Sequence, residues 1–316
     1  MRDASPPGGI PPHLHLRDLP GGPYEPGELG ASLDQTPAHL LDALRVPRRG
    51  EVYDLDCGRW AGMPVFPVHP PFILTSYRTP RGVRVQQDID LFRNEVNAVG
   101  MGLNTELIVG TTHTGTHIDA LSHITCGLDA HWHGGYTESA ELTDFGPARA
   151  EASSIGPFLR RGVLIDLAAA RGVDVLPGRS VVDTAELAST LEAQGTEVRP
   201  GDAVLLRTGY MQVWGTEDAH AHHGAGIDHG AAAWLADHGV CLVGADTEGV
   251  EVVPSVDPEN PHPVHIELLV RRGIHILELA WLEDLARDRV LEFLFVCLPL
   301  RIRGATGSMV RPVAIA

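Results

Sequence analysis

Residues 113–123 read His-Thr-Gly-Thr-His-Ile-Asp-Ala-Leu-Ser-His, and no other stretch of the chain gathers so many metal-binding and acid/base side chains into so few positions. His117, Asp119 and His123 follow at spacings of two and four residues, with His113 four residues upstream. In an extended segment residues two apart share a face, so His117 and Asp119 can converge on one ion while Ile118 is buried behind them. Imidazole nitrogen combined with carboxylate oxygen suits zinc, manganese or iron(II), whereas calcium or magnesium takes nearly all oxygen. Gly115 lets the backbone turn closely before the first of these ligands. A histidine-rich loop without function is the plain alternative in a chain with 17 histidines, but four such groups bounded by small Gly, Thr and Ala favour a site.

Outward from the motif, residues 107–109 (Leu-Ile-Val) form a short apolar strand that feeds directly into it, which places the motif where a strand ends. Residues 51–55 read as another strand, and the proline-broken stretch 63–71 is a loop. The second half alternates. Strands are expected at 163–167, 203–207, 240–243 (followed by Asp246), 274–279 and, as one long run, 293–302. Between them, Asp183 with Glu186 forms a capping box for a helix carrying Leu187 and Leu191 and stopped by Gly195; Asp228 caps a helix that Gly239 ends; 265–272 and 283–287 complete the helices. Alternating strands and helices predict an α/β domain with a largely buried sheet. Residues 1–48, rich in Pro and Gly, read as an arm that is loose or packed on a neighbour, and 49–316 as one catalytic domain.

The formal charge of −17 argues against a nucleic-acid or anionic-membrane partner, since phosphate needs a basic face. All 24 basic residues are arginine; without lysine there is no Schiff-base enzyme of the pyridoxal-phosphate type and no ordinary phosphate-loop NTPase. The cysteines at 57, 126, 241 and 297 show no CxxC spacing, which fits a reducing, cytoplasmic setting. The N-terminus lacks the plan of a signal peptide, and no apolar run reaches the roughly 20 residues of a membrane span.

One segment does not close a metal site. The best later candidates are His265, after Pro263, and Glu278, a carboxylate inside an apolar strand, which is costly unless paired or bound to a cation. For Glu278, pairing with arginine and ligation both answer that cost; His265 by itself reads as structural or ligating.

The pattern HxGTHxDxxxH resembles the metal-dependent cyclase-like hydrolase family that includes bacterial kynurenine formamidase and isatin hydrolase. The likeness extends through 52–55, 62–64, 69–72, 78–80, 201–209, 242–246, 264–269, Glu278 and 300–308, most of residues 51–313. It implies a swivelling β/β/α fold of the α/β class, homodimers or homotetramers in which a neighbour closes the pocket, and one or two divalent ions, Mn2+ or Zn2+. The ligands it implies are His117, Asp119, His123, His265 and Glu278, with Asp119 bridging if there are two ions. His113 is expected to orient a ligand or water, and His113, His123 or His265 to move protons. Phe72, Arg78 and Trp132 are expected near the substrate. Two positions depart from the formamidase form: Leu121 stands where that branch has Pro, and Cys126 where it has its acid/base histidine. The chain looks more like the larger members, and kynurenine is not implied as the substrate.

The expected reaction is hydrolysis of an acyl C–N or C–O bond in a small cyclic amide, imide or lactone or an N-acyl compound, by metal-activated water. A non-haem iron(II) oxygenase is the alternative enzyme, because two histidines and a carboxylate also make that triad. A metal- or small-molecule-binding protein without turnover is the non-catalytic alternative.

Overall fold

The apolar runs assemble into one sheet. In the computed structural model, which describes residues 26–34 and 36–316, the strands that matter are β1 (Val52–Asp54), β2 (Ile73–Arg78), β3 (Thr105–Val109), β4 (His117–Asp119), β5 (Phe158–Asp166), β6 (Ala203–Arg207), β7 (Leu242–Ala245), β8 (His275–Glu278), β9 (Glu292–Cys297), β10 (Gly307–Met309) and β11 (Val313–Ile315). Nine of them form a mixed sheet in the order β1-β11-β9-β5-β6-β7-β8-β4-β10. The central pairs β5/β6, β6/β7 and β7/β8 are parallel, and the flanking pairs are antiparallel. β2 and β3 stand apart as a two-stranded hairpin.

Alternation explains why these strands read as unbroken apolar runs. Val163, Ile165, Val204, Leu206, Val243 and Ile276 face one core, and Leu164, Ala203, Leu205, Leu242 and Leu277 face the other. The first core is covered by α2 (Thr184–Gln194) and α3 (His229–Asp237) through Leu187, Leu191, Ala231, Ala232 and Leu235. Both helices start on an aspartate: Asp183 accepts from the amide of Glu186 and Asp228 from that of Ala231. The capping box is only half made, because Glu186 turns its carboxylate to Arg171.

Three expectations change. The run at 293–302 is strand only to Cys297: Pro299 has no N–H to give a ladder, and Leu298 and Leu300 are exposed. The helix expected at 265–272 begins at Pro263, and after His265 it widens into a π-helix over Ile266–Arg272, a form frequent at functional sites. Of the expected arm, the stretches 6–9 and 20–23 lie outside the described residues. Its described part packs on its own chain: Glu28 is buried, the amide of Ala31 donates to Gly273 O at 2.7 Å, and α1 (Pro37–Ala43) lies on β5 and β9. Among the described residues no helix is long and apolar enough to cross a membrane.

Candidate metal centre

β4 lies between β8 and β10, and its register puts Glu278 directly opposite His117. Opposed residues of an antiparallel pair share a face. His117, Glu278 and, two residues on, Asp119 therefore project to one side, while Ile118 is fully buried on the other. His117 Nε2 lies 3.2 Å from Glu278 Oε2 and 3.7 Å from Asp119 Oδ1. The turn at Gly115 brings His113 Nδ1 to 2.9 Å from Asp119 Oδ1, and from the π-helix side His265 Nε2 stands 3.2 Å from Glu278 Oε1 and 3.8 Å from Asp119 Oδ2. One ligand atom each from His113, His117 and Asp119 falls within 4.8 Å of the others, and so does the set Asp119, His265 and Glu278; Asp119 belongs to both.

The far nitrogen of each imidazole is already engaged. His117 Nδ1–H donates to Gly115 O at 2.8 Å, His113 Nε2 meets Thr306 Oγ1 at 3.0 Å, and His265 Nδ1–H donates to the Glu251 carboxylate. Gly115 O can only accept, so His117 holds a proton on Nδ1 and turns Nε2 to the cluster. Ionised Glu251 likewise holds a proton on His265 Nδ1 and leaves its Nε2 facing Glu278. Its burial would raise its pKa, but His262 and His265 outweigh that and bring it down to about 2. Histidines that bind metals are held in this way by carboxylates and carbonyls.

Asp119 is 1% exposed, and neither carboxylate oxygen has an aligned hydrogen-bond donor; His113 Nδ1 beside it is likewise without one. Burial pushes this carboxyl up, but the rings of His123, His113 and His117 hold it well below the usual carboxylate range, so it is ionised. A buried carboxylate with no donor is costly. A divalent cation among three imidazole nitrogens and two carboxylates satisfies it, and the donor set fits zinc or manganese.

The loop that makes this possible is tightly tied. Gly115 has φ +59°, and a Cβ there would press on Gly58 O, Cys57 Sγ and Met63. Arg59 spans the loop, donating to the carbonyls of Thr114, Thr116 and Val310. Gly307 of β10 lies flat against the ring of His113, where a Cβ would come to 2.6 Å from Cε1.

The cluster opens into a cavity of about 200 Å3. Phe66, Ile124, Tyr210 and Leu279 supply apolar lining; His69, His223 and His262 also line it. Among the described residues no arginine does.

The Cyclase family model matches residues 53–252, well over half of the chain. The chain belongs to the cyclase family. It is 28% identical over 214 residues to the kynurenine formamidase of Bordetella petrii, covering 67% of this chain and 80% of that protein. It is 25% identical over 276 residues to the isatin hydrolase of Roseibium aggregatum, covering 84% and 92%. A crystal structure of a novel cyclase superposes with a TM-score of 0.79 at 28% identity, over 92% of this chain and 96% of that one. The fold is therefore the α/β cyclase fold expected from the sequence, and the protein is a hydrolase of this family. His265 and Glu278 lie beyond the matched residues, and it is the geometry that joins them to His113, His117 and Asp119.

The cyclase site differs from the sequence reading in particular positions. His113, expected to orient a ligand or water, aims a nitrogen at Asp119 and shares a close group with it and His117. His123, expected as a ligand, belongs to neither close group: it is half-buried and stacks on His113 at 4.0 Å between ring centroids. The cause is the turn at Gly115, which folds His113 back over β4, whereas His123 lies in the turn beyond the strand. Phe72, Arg78 and Trp132 do not line the cavity. Phe72 is buried in a side cluster with Met63 and Trp214, Arg78 pairs with Asp88 at 2.8 Å, and Trp132 is a core residue whose Nε1–H donates to Arg149 O. His223 lines the cavity and pairs with Glu248 at 3.2 Å. Asp246 accepts from the amides of Thr208 and Gly209 and ties β7 to the turn after β6. Cys126 pairs backbone to backbone with His131, and His133 bonds Val270 O.

Two cavity residues, His69 and His262, and the buried Glu251 behind His265 are not marked by the sequence reading. His69 stacks on His113 with centroids 5.0 Å apart, His262 bonds Glu251, and Glu251 itself is 1% exposed. Glu251 carries the signal that marks Glu278, a carboxylate within an apolar run (Val250, Val252, Val253). Glu251→Ala is expected to weaken metal affinity by about 10–100-fold, the usual cost of losing such a partner. Competitive titration with a fluorescent chelator measures it; unchanged affinity in the folded variant would show that Glu251 does not position His265.

Proposed function

We propose that this cyclase-family hydrolase cleaves an acyl C–N or C–O bond in a small cyclic amide, imide or lactone or an N-acyl compound, using a divalent cation, Mn2+ or Zn2+, held by His113, His117, Asp119, His265 and Glu278. The observation that carries this is the buried, donor-less carboxylate of Asp119 at the meeting point of three imidazoles and Glu278. When bound, such a cation supplies Lewis acidity that lowers the pKa of water toward ~7 and polarises a carbonyl.

The chain's own residues do the rest. The apolar lining excludes water and seats a small ring or acyl group; a cavity of about 200 Å3 is below the ~300–1,000 Å3 of pockets for drug-sized ligands. His123 lines the cavity, and burial brings its pKa down to about 4, so it is neutral at pH 7 and can take a proton on a ring nitrogen. Having accepted it from the attacking water, His123 can return it to the departing nitrogen or oxygen. The lack of an arginine in the lining favours uncharged substrates over carboxylates. Free thiols at all four cysteines suit the cytoplasmic location we assign.

The test is a hydrolysis screen of metal-loaded protein against isatin, N-formylkynurenine, cyclic imides and lactones. Turnover that disappears on chelation and returns with Mn2+ or Zn2+ supports the reading; turnover that persists after verified metal loss rules it out.

The molecule is expected to work as a homo-oligomer. The β2–β3 hairpin exposes Ile73, Leu74, Tyr77, Leu107, Ile108 and Val109, and a two-stranded ribbon is marginal without cover. A second copy supplies that cover. Light scattering should give a dimer or larger assembly, and Ile108→Asp should shift it toward monomer at micromolar concentration; a wild-type monomer would refute this.

A further inference from the structure

β5 carries two arginines in succession, and the fold treats them differently. Arg161 is satisfied: it donates to Asp202 at 2.5 Å, Glu292 at 3.0 Å and Glu197 O at 3.1 Å. Arg160 is 1% exposed and makes one long contact, Nη2 to Ser32 O at 3.4 Å; its Nε and Nη1 have no partner. A guanidinium keeps its charge at any pH the fold survives. A buried charge without a counter-charge costs several kcal/mol, and the chain supplies no carboxylate to Arg160 among the described residues.

Arg160 lines a second cavity, of about 650 Å3, with Arg45, Arg48, Arg161 and Arg199. The acids there are already taken. Asp42 holds Arg45 at 2.8 Å, Asp202 and Glu292 hold Arg161, and Glu197 holds Arg199 at 2.7 Å. Among the described residues Arg48 bonds the carbonyl of Pro47 and no carboxylate. Among the described residues two guanidiniums thus remain without a carboxylate at one cavity, in a chain of formal charge −17. The cavity also lies apart from the metal centre. Gly201 and Asp202 in its lining precede the amino end of β6, whereas Thr247 to Gly249 and Glu278 of the first cavity sit at the carboxyl ends of β7 and β8.

We propose that this cavity binds an oxyanion of the phosphate class, with Arg160 as its buried counter-charge and Arg48 as its outer one. The planar fork of an arginine matches the oxygens of a tetrahedral phosphate, and a buried guanidinium bonds it with little competition from water. Inorganic phosphate and a phosphate monoester share this chemistry.

The experiment is calorimetric titration of the full chain with inorganic phosphate, and separately with glycerol phosphate, at constant ionic strength made up with chloride. Saturable binding of about one anion per chain is expected, weakened at least about 10-fold in Arg160→Gln and several-fold in Arg48→Gln. The tighter of the two probes tells whether the free ion or an ester is the ligand. Arg48 is exposed, so Arg48→Gln tests the site even if Arg160→Gln does not fold. No saturable binding of either probe beyond that of chloride, or equal binding by wild type and Arg48→Gln, overturns the proposal.

Discussion

Asp119→Asn is expected to abolish metal binding and to lower kcat/KM by more than about 100-fold, beyond what loss of a partner outside the coordination sphere costs. The substitution keeps the shape of the side chain and removes its charge. Asp119 is the one residue common to both close groups, His113-His117-Asp119 and Asp119-His265-Glu278. An amide there also turns an acceptor into an N–H donor beside His113 Nδ1, which stands 2.9 Å from Oδ1. Metal content by mass spectrometry and turnover of the best substrate from the hydrolysis screen are the measurements. Full metal content in the folded variant would mean that the ion lies elsewhere. His123→Ala should behave differently, keeping the metal and losing turnover, because His123 stacks on the cluster from outside it.

Stripping the metal from wild-type protein is expected to lower its melting temperature by on the order of 5–10 °C. An ion that binds only the folded chain adds about 4 kcal/mol when present at a thousand times its Kd, and about 1 kcal/mol moves the midpoint of a large domain by a few degrees. The effect should be strong here because the apo site buries two carboxylates, Asp119 and Glu278, side by side. Zn2+ or Mn2+ should restore the lost degrees and Ca2+ should not, since three of the five donors are nitrogen. Scanning calorimetry before and after chelation decides it; an unchanged midpoint after verified metal loss would show that the cluster holds no tightly bound ion.

Residues 113–123 point to the cluster that the structure brings together, but not to how its side chains are arranged. Period-two alternation was enough to place His117 and Asp119 on one face with Ile118 behind them. It says nothing about residues on either side of the strand: the turn at Gly115 folds His113 back to Asp119 and leaves His123 beyond the strand, outside both close groups. Glu278 was legible because a carboxylate in an apolar strand needs an explanation; Glu251 offers the same clue in a less regular segment. The central sheet was readable because its strands are buried on both faces. The short β10 was not, since a three-residue strand has too little pattern, and β9 was read too long because Leu298 and Leu300 are apolar yet exposed. Aromatic residues near the motif were poor guides to the pocket: Trp132 and Phe72 fill cores, and histidines line much of the cavity.

The place of β4, between β8 and β10, sets when in synthesis the cluster can be completed. A chain emerging from the ribosome presents His113 to Asp119 long before His265, Glu278 and the Thr306-Gly307 segment that backs His113 exist outside the tunnel. At that stage the early residues form an open triplet without its walls, the partner strand carrying Glu278, or the Arg59 bond to Val310 that ties the loop down. The five residues of the cluster therefore meet only once the chain through β8 has been made, and the backing of His113 and the Arg59 tie come last of all, from β10 and the residue after it.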